Sequence, residues 1–108
     1  MTIAMQAEDV RAQIDREIAG DWDRHNPHGV DLLRCLVGPT KQRYEDSLHD
    51  GQHLDLWLVL EEDPASRGGY KIVYDEEKGM YGLAIRSDKD EDVFIGYYGT
   101  FLETLDGM

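Results

Sequence analysis

A chain of 108 residues has the length of one domain, and 23 acidic against 11 basic residues give it a formal net charge of −12 at pH 7. A field of that sign repels phosphate backbones and anionic lipid, which argues against unaided binding to nucleic acid or membrane. Hydrophobic residues make up 41% of the chain, including two Trp, six Tyr and two Phe, too many for a disordered acidic tail.

No repeat, low-complexity tract or Pro/Gly/Ser linker divides the chain, so residues 1–108 read as a single domain. Ile3, Ala7, Val10, Ile14, Ile18 and Trp22 recur at three- and four-residue steps, the stripe of an amphipathic helix. Glu8 and Asp9 suit the first turns, and Gly20 suits the stop, which predicts a helix from about Met5 to Ala19. A second helix is bracketed by Asn26-Pro27 at its start and Gly38-Pro39 at its end, with Val30, Leu32, Leu33, Leu36 and Val37 as a wide apolar face. The same stretch also fits a strand from Leu32 to Val37.

The remainder reads as strands. Leu54, Leu56, Leu58 and Leu60 alternate with Asp55, Trp57, Val59 and Glu61, the pattern of an interior strand with apolar character on both sides. Asp50-Gly51 marks a tight turn to a hairpin partner over Lys41 to Leu48. Tyr70 to Tyr74 turns through Asp75–Gly79 into Met80 to Ile85, Gly79 supplying the left-handed residue. After a polar loop, Ser87 to Asp92, comes Val93 to Tyr97, and Thr100 and Glu103 have capping-box spacing for a short final helix. The expected fold is α+β: two N-terminal helices, an antiparallel meander of four to five strands, and a short C-terminal helix.

Alternation assigns sheet sides. One side collects Leu54, Leu56, Leu58, Leu60, Tyr70, Ile72, Tyr74, Tyr81, Leu83, Ile85, Val93, Ile95 and Tyr97, an uncharged face for the helices to cover. The other groups Trp57, Val59, Val73, Met80, Gly82, Ala84, Phe94, Gly96 and Tyr98, with Asp55, Glu61, Lys71, Asp75 and Arg86 at the strand ends. That second side is the candidate binding surface: Trp57 at its centre, Phe94 and Tyr98 as aromatic anchors, Asp55 and Arg86 at the rim. Two blander readings stand beside it. A helix or loop covers the side, or an aromatic ring lies across a facing glycine to stabilise the sheet.

Candidate chemistry is sparse. His25, His28, His49 and His53 fall in polar, turn-like segments without the spacing of a closed ligand set, so no metal or other cofactor is expected. Asp88, Asp90 and Asp92 match the first three positions of a calcium loop, but Val93 and Gly99 stand where its glycine and bidentate glutamate belong. Cys35 reads as a buried thiol; a lone cysteine and an N-terminus with neither a cationic start nor an apolar run point to the cytoplasm. The Glu61–Asp63 and Asp75–Glu77 clusters fall at opposite ends of a strand and do not form an acid/base pair.

Charge therefore carries the functional expectation. A magnitude of 12 on a small domain exceeds the roughly 2–8 that solubility asks for, and it steers association toward positive surfaces. The leading expectation is a small acidic, non-catalytic binding protein for a cationic protein partner, inhibitor- or immunity-like by charge alone, with Asp88, Asp90 and Asp92 steering the approach. The alternatives are a ligand-binding domain or enzyme using the Trp57 face, and a structural subunit that dimerises through it. The sequence leaves monomer and homodimer both open.

Overall fold

Three-to-four spacing of Val10, Ile14 and Ile18 produces helix α1 (Ala7–Ile18), with these three residues buried along one side. Its entry is fixed by the Gln6 backbone N–H, which donates to Asp9 Oδ2 at 2.8 Å, and it ends with Ala19 at φ 50° followed by Gly20 at φ 83°. The computed structural model describes residues 5–22, 31–47, 51–63, 68–86 and 92–108. After α1 come α2 (Leu32–Cys35), β1 (Leu36–Asp46), β2 (His53–Asp63), β3 (Gly68–Asp75), β4 (Met80–Arg86), β5 (Asp92–Gly99) and α3 (Phe101–Asp106). The architecture is α+β and mostly sheet.

The second helix is much shorter than its flanking punctuation predicts. It is one turn, Leu32–Cys35, capped by the Asp31 side chain, and the chain is already extended at Leu36. Asn26 and Pro27 lie outside the described residues. Pro39 disfavours helical geometry at Gly38 and has no N–H to offer a helix, whereas Leu36 finds a strand partner in Leu60. The same proline interrupts the ladder: the β1–β2 register shifts between Leu36 and Thr40.

Consecutive strands pair antiparallel from β1 to β5, as a meander should, but the sheet does not stay open. β1 also pairs with β5 through Glu45↔Val93 and Asp46↔Phe94, closing a five-stranded barrel. Strand direction alternates around a meander, so the first and fifth strands point the same way and the closing pair is parallel.

Closure replaces two sheet faces with an inside and an outside. Tyr44, Leu56, Leu58, Val73, Ala84 and Phe94 form a cluster that includes no helix residue and fills the barrel. Val10, Ile14, Ile18, Leu32, Cys35, Phe101, Leu105 and Met108 instead pack on the outer surface, against Trp57, Val59, Leu60, Ile72, Tyr74, Tyr81 and Leu83. The expected sides are corrected here for β2, Tyr97 and Tyr70: Trp57 shares the helix-covered side with Ile72 and Tyr74, Leu56 and Leu58 point inward with Val73, Tyr97 packs with the interior cluster past a register shift in β5, and Tyr70 is exposed. The cause is register. Trp57 pairs with Tyr74 and Leu58 with Val73, and a shift before Leu60↔Ile72 makes Val59 the extra residue of a bulge, so that Val59 and Leu60 both reach the outer cluster.

Glu17 of α1 fastens the last helix. Its carboxylate accepts the backbone N–H of Phe101 and of Leu102, each at 3.2 Å, while Thr100 and Glu103 complete the expected capping box. No helix of the described residues is long and apolar enough to cross a membrane.

Candidate functional site

The β3–β4 turn is built by one carboxylate. Asp75 Oδ1 accepts the backbone N–H groups of Glu77 (2.9 Å) and Lys78 (3.2 Å), and Gly79 takes the left-handed φ of 66° that the turn requires. Asp75 Oδ2 accepts the Tyr97 hydroxyl at 2.6 Å, which ties the turn to β5. Burial, and next the negative charge that accepts its hydrogen bond, push the Tyr97 phenol far above its usual range.

Glu76 follows and gathers donors from three separate parts of the chain. Its Oε2 accepts the Met5 backbone N–H at 3.2 Å, and its Oε1 accepts the Trp57 indole N–H at 3.2 Å together with the Lys41 ammonium. The same ammonium stands 5.6 Å from the centre of the Trp57 ring. The Lys41 hydrogen bond holds the Glu76 carboxyl below the usual glutamate range, and Glu76 in turn raises Lys41 above the usual lysine range.

These groups border a cleft of about 610 Å³ where the start of β2 runs beside the end of β3, lined by Lys41, His53, Leu54, Asp55, Asp75, Glu76 and Glu77. Asp55, His53 and Glu77 are exposed, whereas Asp75 is buried. The carboxylates of Glu76, Asp55 and Glu77 thus act on Lys41, with His53 also at the cleft, an arrangement that attracts cations and has room for a side chain.

The residues singled out from sequence are dispersed by the barrel. Trp57 is 8% exposed and lies beneath Lys41 and Glu76 on the outer side. Phe94 is 1% exposed inside the barrel, its ring 4.7 Å from that of Tyr97. Tyr98 is 43% exposed on β5, where its ring contacts the Gly107 region, and Arg86 is exposed at the end of β4. Of these five, only Asp55 and Trp57 adjoin the cleft. Asp88 and Asp90 lie outside the described residues; Asp92 begins β5 with a carboxylate oxygen 3.6 Å from the ammonium of Lys71. His25, His28 and His49 also lie outside the described residues, and among those described no group of three or more His, Cys, Asp or Glu is placed to hold a metal ion. Cys35 is buried, its thiol 3.6 Å from the Glu62 carbonyl and raised in pKa by that burial.

Sequence reasoning missed Lys41, His53 and Glu76 as members of one site. A signal was present: pairing the strand after Asp50-Gly51 with the strand before Asp75 brings residues 53–55 beside residues 75–77. Lys41 had no such signal, because its place depends on the β1–β2 register beyond the Pro39 irregularity. Comparison with protein-family models, with curated proteins and with solved structures finds no match to this chain.

Proposed function

We propose that the protein is a small acidic binding protein that engages a cationic surface of a protein partner. The observation that carries this reading is the cleft at the β2–β3 end of the barrel, where Glu76, Asp55 and Glu77 act together on Lys41 beside a space large enough for a side chain. The net charge of −12 supplies long-range attraction, and Asp55 and Glu77 supply exposed charge at the point of contact. Asp75 and Glu76 spend their oxygens on internal donors, which suits them to hold the shape of the cleft rather than to pass protons. Cytoplasmic residence and a steering role for Asp88, Asp90 and Asp92 belong to the same proposal.

The test is capture of protein partners on the immobilised chain at low salt, repeated up to about 0.5 M, where the Debye length falls to a few ångströms. Association slows steeply with salt while dissociation changes less, and the Asp55→Asn/Glu77→Gln variant loses most of the captured partner. Salt-insensitive capture, or capture indifferent to that double substitution, overturns the reading.

A further inference from the structure

Lys41 places one cation at the edge of the cleft. Its ammonium meets Glu76 Oε1 and the face of Trp57 at once, a carboxylate and an aromatic ring arranged around one cation. The Trp57 indole N–H, donating to the same Oε1, locks ring and carboxylate together, and the Met5 N–H fixes the other oxygen. The receptor half of this contact is largely buried, Trp57 being 8% and the Glu76 side chain 16% exposed. The lysine half is not: the Lys41 side chain is 44% exposed, on a strand whose ladder to β2 is irregular just upstream. Exposed ion pairs of this kind hold weakly and exchange readily. Around them, the exposed Asp55 and Glu77 add two carboxylates that act on the same lysine.

We propose that Lys41 is a built-in stand-in for the partner: the Glu76–Trp57 corner is a receptor for one arginine side chain, and Lys41 fills it until that arginine displaces it. The inference rests on the acidic-binding reading and names the group that the cleft receives. Arginine is favoured over lysine by the geometry of the lining. A planar guanidinium can stack on the Trp57 face while its fork reaches Glu76 and a neighbouring carboxylate, whereas an ammonium is a point charge that Lys41 already supplies. The displaced Lys41 then swings outward, so arginine binding and Lys41 seating exclude one another.

The probe is the peptide acetyl-Gly-Arg-Gly-amide, with the uncharged citrulline peptide as control, titrated into the isotopically labelled protein. In the wild type the arginine peptide moves the Trp57 indole N–H and Glu77 amide resonances saturably, and the citrulline peptide does not. Lys41→Met and Lys41→Gln, two substitutions at an exposed position, each bind the arginine peptide about fivefold more tightly or better, because the competing occupant is gone. Equal or weaker affinity in both variants overturns the inference, as does a citrulline response equal to that of arginine. If both variants gain nothing while capture of a protein partner still depends on salt and on Asp55 and Glu77, the receptor inference falls and the binding reading stands. If both variants gain affinity but no salt-sensitive capture exists, the cleft is an arginine receptor and the protein-partner reading falls.

Discussion

The ring of Phe94 occupies the space that a side chain at Gly82 would need. A Cβ placed on Gly82 would come within 2.6 Å of Phe94 Cε1 and 2.3 Å of the Gly96 carbonyl oxygen, so the barrel interior is filled across β4 by the aromatic ring of the neighbouring strand. Of the readings open for Trp57, Phe94 and the strand glycines, the ring laid over a glycine describes this pair.

Gly82→Ala is therefore expected to destabilise the protein by about 1–3 kcal/mol, since the methyl group meets backbone as well as ring and neither can retreat inside a closed barrel. Gly38, where an added Cβ would meet nothing within 4 Å, is the control: Gly38→Ala is expected to stay within about 0.5 kcal/mol of the parent. Urea unfolding of both variants decides the matter; equal midpoints would contradict the packing described.

Glu17→Ala removes the carboxylate that accepts the first two amides of α3. A loss of about 1–2 kcal/mol follows, with faster amide exchange at Phe101 and Leu102 than in the barrel strands. Exchange that accelerates uniformly over the whole chain would show that the helix does not depend on this contact.

The Glu76 carboxyl is held below its usual range, chiefly by the Lys41 hydrogen bond. A carboxyl depressed by folding contributes stability that is complete above its unfolded pKa of about 4.3 and is lost as pH falls through the lower folded value. The melting temperature of the wild type should accordingly exceed that of Glu76→Gln at pH 7, and the gap should close as pH falls below about 4.3 and through the lowered folded value. Lys41 gives the opposite limb. Raised by folding, it contributes below its unfolded pKa of about 10.4, and that contribution disappears as pH climbs through the raised value. A gap independent of pH on the acid side would deny the Lys41–Glu76 contact.

Lys71 is fully buried, with its ammonium 3.6 Å from Asp92. Lys71→Met takes this ammonium from the Asp92 carboxylate and should cost about 3–5 kcal/mol, and Lys71→Met/Asp92→Asn should cost less than the sum of the two single substitutions. Thermal unfolding of the single and double variants reads the coupling; strictly additive effects would mean the two groups do not interact.

What could be read from sequence followed from short-range rules. The stripe Val10, Ile14, Ile18 gave α1, the Thr100/Glu103 spacing gave the α3 cap, and Gly79 gave the β3–β4 turn, each because the deciding interaction spans a few residues. The side on which Trp57 lies could not be read that way. One bulge residue at Val59 and the Trp57↔Tyr74 register set it, and alternation within β2 is silent about both. Lys71 was legible only as a strand-end charge, since its buried surroundings come from β2, β4 and β5 converging on it. The cleft was half legible: the acids of the turn were visible, but the lysine that sits among them arrives from a distant strand.

The parallel seam between β1 and β5 has a consequence for how the chain is made. It rests on two register pairs and on Ser47, whose hydroxyl donates to the Phe94 carbonyl at 2.7 Å across 47 residues of sequence. The hairpins can zip locally, but this seam must wait until all five strands are in place, so ring closure is the slow, long-range event of folding. Until it forms, the chain is a ribbon with two bare edges, each a template for another copy. A nascent chain cut short before Phe94 has the hairpins of β1 to β4 but neither the ring nor the core residues Phe94, Phe101 and Leu105, so it meets other copies with both edges bare and its apolar clusters unfinished.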